Sequence, residues 1–258
     1  MKKVLYTKNL NIGYHTKKGN TLIAENLNLD FHEGKLITLI GANGIGKSTL
    51  LRTLTGIQKP LAGEVLLNEK SITTYPLHEL AQNLSVVLTE KLPPSNLTVY
   101  ELVSLGRQPY TNWVGRLAPD DIDKIINAIE LTHIAEIGHK KHHEISDGQL
   151  QKVLVARALA QDTPLIILDE PTTHLDLHHK VSLFKLLKRL SKEMGKCILF
   201  STHDIDLAIQ LSDEMIVMTK SDIVQDDPCK LIESGIFNTL FDDKDIFFDT
   251  NKGKFIFK

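Results

Sequence analysis

The segment that most constrains this chain is Gly41-Ala42-Asn43-Gly44-Ile45-Gly46-Lys47-Ser48-Thr49. Before it stands Lys35-Leu36-Ile37-Thr38-Leu39-Ile40, a short apolar run that reads as a buried strand. After it, Leu50, Leu51 and Leu54 recur at helical spacing until Gly56 and Pro60 stop the helix. Strand, glycine loop and helix, matching G-x-x-x-x-G-K-[ST], make the first unit of an α/β domain and a cradle for phosphate. Glycines let backbone N–H groups converge on phosphate oxygens, and the helix N-terminus adds positive potential. Lys47 is placed to meet the β- and γ-phosphates of a nucleoside triphosphate, and the Ser48 hydroxyl to ligate Mg²⁺.

The same grammar recurs downstream. Leu165-Ile166-Ile167-Leu168 reads as a buried strand ending in Asp169-Glu170. A carboxylate at that position, Asp169, can hold Mg²⁺ directly or through water. Glu170 points to the other side by strand alternation, where it can orient or deprotonate an attacking water. A helix through Leu183, Leu186, Leu187 and Leu190 leads to a further strand, Cys197-Ile198-Leu199-Phe200-Ser201. Such alternation predicts a largely parallel sheet covered on both faces. Upstream, Val4-Leu5-Tyr6 and Leu22-Ile23 are β-like runs broken by Gly13 and Gly19. From about residue 97 to 144 the periodicity is helical and no strong strand stands out. The end, around Gly253, holds short aromatic β-like pieces.

Composition narrows the class. Of 258 residues, 42% are hydrophobic and 24% charged, which excludes a disordered chain or a coiled coil. Lys and Arg number 30 against 32 Asp and Glu, so nothing points to nucleic acid as a partner. Two cysteines cannot make a disulfide framework; Cys197 lies in an apolar run, consistent with a reducing compartment. After Lys2-Lys3 the apolar residues end at Thr7, too soon for a leader peptide, and no run approaches the roughly 18 apolar residues that span a bilayer. Service at a membrane would therefore go through a partner. His139, His142 and His143 among lysines read as a solvated loop, and His178-His179 as an exposed helix start.

Ile145-Ser146-Asp147-Gly148-Gln149 resembles the LSGGQ signature of ATP-binding-cassette (ABC) ATPases, and Val153-Leu154-Val155-Ala156-Arg157-Ala158-Leu159 resembles the helix that follows it. His203 in Ser201-Thr202-His203-Asp204 is similar to the family's switch histidine. His174-Leu175-Asp176 is similar to its D-loop, and Tyr14 to the aromatic that stacks on adenine. The motifs run in family order from about residue 4 to 220. The resemblance implies a P-loop NTPase (RecA-like) α/β core with an N-terminal antiparallel β subdomain and an inserted helical subdomain. It implies one nucleotide-binding domain over residues 1–258, the helical part and signature near 91–160 and a C-terminal extension from about 225. It also implies a head-to-tail homodimer that hydrolyses ATP with Mg²⁺. One subunit would give Lys47, Ser48, Asp169, Glu170 and His203; the other would bring Ser146, Gly148 and Gln149 to the γ-phosphate, with Asp176 at the seam. Two positions depart from the pattern. Asp147 replaces the first signature glycine, and Thr89, beside Glu90, stands where the family usually has a Mg²⁺-sensing glutamine.

Thr98-Val99-Tyr100-Glu101-Leu102-Val103-Ser104-Leu105-Gly106-Arg107-Gln108-Pro109-Tyr110 resembles a run in ATPases of iron-siderophore, haem and cobalamin importers. That implies permease subunits and, through them, a substrate-binding protein as partners. The chain would then sit in the cytoplasm against the inner face of the membrane. Docking is expected along residues 97–110 and at the Thr89-Glu90 loop, with Arg107 and Tyr110 among the contacts. An ABC ATPase for another solute, or one without a transport role, stands as the alternative reading. A kinase-type phosphate-loop enzyme is disfavoured by Ser146-Asp147-Gly148-Gln149.

Overall fold

The computed structural model describes residues 2–16, 19–88, 95–173, 175–241, 246–250 and 253–257. The chain begins with β1 (Lys3–Thr16), β2 (Gly19–Leu27), β3 (Asp30–His32) and β4 (Leu36–Gly41), then α1 (Lys47–Leu54), β5 (Ala62–Leu67) and β6 (Lys70–Ser71). After α2 (Leu77–Asn83) and β7 (Leu84–Val87) come α3 (Val99–Ser104), α4 (Pro119–Leu131) and α5 (Asp147–Ala160). The remainder is β8 (Leu165–Leu168), α6 (Leu177–Met194), β9 (Cys197–Ser201), α7 (Ile205–Leu211), β10 (Glu214–Met218), β11 (Ile223–Asp226), α8 (Pro228–Glu233), β12 (Ile246–Asp249) and β13 (Lys254–Phe257).

Two sheets build the core. The six-stranded sheet runs β11-β10-β4-β9-β8-β7, parallel throughout except where β11 pairs antiparallel with β10. The second sheet, β2-β1-β5-β6 with β3 on β1, is antiparallel. The central parallel strands bury both faces, so their side chains alternate between two cores. Leu36, Ile40, Ile166, Leu168, Ile198 and Phe200 pack with helices α3–α6. Ile37, Leu39, Leu165, Ile167, Cys197 and Leu199 pack with α1 and the antiparallel sheet. This is why these strands read as unbroken apolar runs. Burial pushes the Cys197 thiol far above its ordinary range, which leaves it a core residue without nucleophilic character.

Two local expectations change. Gly13 does not break a strand but lies inside β1, at a register irregularity against β2. A Cβ there would strike the Thr21 carbonyl, so glycine is what permits the close pairing. Arg107 is not a surface contact. It is buried, with Nε donating to Asp121 Oδ1 at 2.8 Å and Nη1 to the Ala160 carbonyl at 2.8 Å. Its guanidinium lies 3.9 Å from the Tyr110 ring centre. Gly106 lets the 3₁₀ segment Leu105–Tyr110 press on the Arg157 carbonyl of α5. The Leu105-Gly106-Arg107 run is thus a staple that joins α4 and α5. The side chains left outward around it are Tyr100, Leu105 and Tyr110, with Trp113 98% exposed just beyond.

Candidate functional site

The C-terminal ends of β4, β8 and β9 lie side by side, and each carries a polar segment predicted from sequence. In open α/β sheets ligands bind at this edge. From β4 the chain enters the glycine loop. Gly44 and Gly46 take positive φ, 74° and 115°, and Gly46 caps α1. A Cβ on Gly46 would collide with Ile23 of β2, so the antiparallel sheet closes directly over the loop. The resulting cleft, about 230 Å³, is lined by Tyr14, Ile23, Asn43, Gly44, Gly46, Lys47, Ser48, Thr49 and Glu170. Gly41 cannot carry a side chain: its Cβ would meet the Met218 carbonyl at 2.8 Å. Ala42 and Ile45 close the loop through the Ile45 N–H on the Ala42 carbonyl.

Lys47 is 5% exposed, and its Nζ donates to the Gly41 and Ala42 carbonyls at 3.0 and 3.3 Å. Burial pulls its pKa below the ordinary lysine value, while the Glu170 and Asp169 carboxylates draw it back up. The Tyr14 hydroxyl is hydrogen-bonded to Thr49 Oγ1 at 2.6 Å. The ring is therefore tethered to α1.

Asp169 follows β8 and is 6% exposed. Its Oδ1 accepts from the Ser201 hydroxyl at 2.7 Å, and its second oxygen has no hydrogen-bond partner among the described residues. Glu170 has φ 49°, in the left-handed region. Its Oε1 pairs with His203 Nε2 at 2.8 Å and lies 4.0 Å from Lys47 Nζ. The segment carrying His203 is fixed from below: Asp204 accepts from Thr172 Oγ1 at 3.0 Å and from Lys180 Nζ at 2.8 Å, which ties it to the first turn of α6. Lys47, Ser48, Asp169, Glu170 and His203 thus converge. For Mg²⁺, the donor set of a helix-start hydroxyl (Ser48) and a carboxylate (Asp169) is all oxygen, which suits a hard cation. For ATP, the loop offers backbone N–H groups, a confined ammonium and an aromatic ring.

The other predicted residues stand outside this cleft. Ser146 caps α5, accepting from the Gln149 N–H at 3.3 Å, while Gln149 Oε1 accepts from the Ser146 N–H at 3.0 Å. The helix begins at Asp147, so the first-turn N–H groups, Gly148 included, face outward with the helix's positive end. A Cβ on Gly148 would lie 3.3 Å from Leu175, which places the signature against the D-loop of the same chain. Asp176 caps α6, accepting from the backbone N–H of His179 at 2.9 Å and pairing with its ring at 2.8 Å. The backbone bond first, and then the ring, hold its carboxyl below the usual range. Asp176, His178 and His179 bring three possible metal-ligand atoms within 4.8 Å, but Asp176 and His179 already serve each other and the helix start. Thr89, Glu90 and His174 lie outside the described residues.

Sequence reading missed Ile23, Thr49's bond to Tyr14, and the Ser201, Thr172, Asp204 and Lys180 contacts. All are made across strands or helices far apart in sequence, and no local pattern announces them. A surface depression of about 730 Å³ between β2–β3 and β10–β11 is polar and largely self-neutralised, with Asp30 paired to Lys3, Glu214 to Lys35 and Asp213 to Lys188.

Residues 24–173, more than half the chain, match the ABC transporter family model. Among curated relatives, the iron(3+)-hydroxamate import ATP-binding protein FhuC of Bacillus subtilis is 40% identical over 222 residues, 86% of this chain and 81% of that one. The ferric enterobactin transport ATP-binding protein FepC of Escherichia coli is 33% identical over 203 residues, 78% and 75% of the two chains. Among solved structures, a metal-chelate type ABC transporter in an inward-facing conformation superposes with TM-score 0.80 at 26% identity, covering 99% of this chain and 96% of that one. A dimeric ABC cassette in a post-hydrolysis state, bound to ADP and phosphate, gives TM-score 0.75 at 27% identity over 87% and 98%.

Proposed function

Because the chain belongs to the ABC transporter family and is an ATPase of it, we propose that it energises import of an iron-siderophore or a related chelate, such as haem or cobalamin. It does so as a homodimer on membrane permease subunits, fed by a substrate-binding protein, at the inner face of the cell membrane. No helix among the described residues is long and apolar enough to cross a membrane, and in this reading the permease subunits build the passage. The observation that carries the reading is the division of the predicted residues. Lys47, Ser48 and Glu170 line one cleft, His203 pairs with Glu170, and Asp169 stands beside Glu170 in the chain, whereas Ser146, Gly148 and Asp176 are not among the residues that line it. A second copy, turned head to tail, supplies what the cleft lacks. The names of the relatives support the cargo class.

In this reading the glycine loop and Lys47 hold the β- and γ-phosphates, and Tyr14 and Ile23 hold the base. Ser48 and Asp169 would hold Mg²⁺, with Thr89 or Glu90 as the further expected ligand, and the cation would supply positive charge against the phosphates. Glu170 orients the attacking water and accepts its proton. The γ-phosphate competes with Glu170 for His203 and Lys47, which frees the carboxylate for water as ATP seats. Ser146 and the Gly148 N–H of the facing copy donate to the γ-phosphate. The test is uptake of labelled siderophore-iron, haem and cobalamin by cells lacking this protein and every ATPase able to replace it. Loss of uptake of one of them is expected, and normal uptake of all three contradicts the cargo assignment.

A further inference from the structure

We propose that Ser201 is a positioning residue that sets Asp169 and Glu170 in one geometry through a single hydroxyl. The proposal rests on the roles given above to those two carboxylates. Ser201 is the last residue of β9 and is completely buried. Parallel pairing of β8 with β9 sets Leu168 beside Phe200, which brings Ser201 next to Asp169. By strand alternation Ser201 points to the same side as Leu199, towards α1 and the glycine loop.

A hydroxyl has one proton to give and lone pairs to accept with, and here both capacities are used. The proton is donated to Asp169 Oδ1 at 2.7 Å, because an ionised carboxylate can only accept. The lone pair receives the Glu170 backbone N–H at 2.8 Å. The two contacts do different work. The first fixes the carboxylate plane, so that its second oxygen is presented for a cation. The second pins the amide of a residue at φ 49°, a backbone conformation that non-glycine residues hold only when their surroundings enforce it. That conformation carries the Glu170 side chain to His203 and towards Lys47. One oxygen therefore couples the cation ligand to the water-handling carboxylate. No part of it lines the nucleotide cleft.

The consequence is a split between binding and turnover. Alanine at 201 leaves the glycine loop, Tyr14 and Lys47 untouched, so ATP affinity measured without divalent cation stays at the wild-type level. Asp169 and Glu170 lose their common tether, so kcat falls and the Mg²⁺ concentration for half-maximal activity rises, each by about ten- to hundred-fold, as for other outer-shell partners of metal ligands. Threonine keeps the hydroxyl and restores most of both.

The experiment measures ATP affinity in EDTA, kcat and Mg²⁺ dependence for the full chain and for Ser201→Ala, Ser201→Thr and Glu170→Gln. Loss of turnover and a raised Mg²⁺ requirement in Ser201→Ala, with ATP affinity kept and recovery in Ser201→Thr, support the assignment. Wild-type kcat and Mg²⁺ dependence in Ser201→Ala, beside an inactive Glu170→Gln, overturn it and leave the reading of the carboxylates intact. Equal damage in both Ser201 variants, with ATP affinity lost in parallel, reduces the residue to packing and also overturns it. Full activity in Glu170→Gln removes the premise itself.

Discussion

At the scale of single residues, the site sets charged groups side by side, with Glu170 2.8 Å from His203 and 4.0 Å from Lys47. Lys47 is the clearest case. Because burial lowers its pKa, it loses its proton at a lower pH than an ordinary lysine of 10.5, and a neutral amine no longer attracts the γ-phosphate. ATP affinity is therefore expected to start falling on the alkaline side below pH 10.5, and in Lys47→Arg to persist to higher pH. A flat titration to pH 10.5 in the wild type would refute this. Glu170→Gln removes the proton acceptor but keeps the shape of the side chain. Turnover should drop by roughly 100-fold or more while ATP still binds, read by single-turnover hydrolysis and equilibrium titration. The tether between Tyr14 and Thr49 adds a further expectation. Tyr14→Ala loses the stacking surface, about 1–3 kcal/mol by analogy with stacked bases, and Tyr14→Phe loses only the hydroxyl bond, about 1 kcal/mol. Equal ATP affinity in the three proteins would reject both roles.

At the scale of elements, the helical part between β7 and β8 is held by a buried ion pair. Arg107 and Asp121 are 5% and 7% exposed at the side chain. Burial works against the Asp121 carboxylate, but the Ala118 N–H and the Arg107 hydrogen bond and charge prevail and keep its pKa low. The sign follows directly: the pair stabilises above the ordinary aspartate range, and that stability is lost as pH falls through the lowered value. Asp121→Asn leaves a buried guanidinium without its counter-charge and should cost about 3 kcal/mol or more in denaturant unfolding. An unchanged midpoint would show that the pair contributes nothing.

The same element marks where sequence was legible and where it was not. The strands β4, β8 and β9 were readable because parallel strands buried on both faces are apolar without alternation, and the glycine loop because its spacing is fixed by phosphate geometry. The signature could be placed only through its family likeness, since Ser146 and Gly148 by themselves are an ordinary helix start. Arg107 was misread as a contact surface. A charge near an exposed aromatic looks alike whether it faces water or turns inward, and its partners Asp121 and Ala160 are set by packing. Gly13 was misread as a break because local propensity carries no information about the strand beside it.

At the scale of the whole molecule, the division of labour is the principal fact. Tyr14, Ile23, Lys47, Ser48 and Glu170 line one cleft, while Ser146 and Asp176, which cap α5 and α6, are not among the residues that line it. Trp113 is 98% exposed and does not line the cleft of the glycine loop, and substitution of Trp113 by Ala should lower chelate uptake in cells while leaving the ATPase activity of the purified protein within about two-fold. Equal loss of both would place Trp113 in the fold and not in docking.

The central claim is that two copies close around ATP, each lending its signature to the other's cleft. The most direct measurement is the solution mass of Glu170→Gln, by light scattering, with and without ATP. Each chain has a mass of 29.0 kDa. With ATP the protein should run at twice that mass, and addition of Ser146→Arg to the same chain should return it to the single mass. A Glu170→Gln protein that stays a monomer at saturating ATP, or a dimer indifferent to Ser146→Arg, would contradict it.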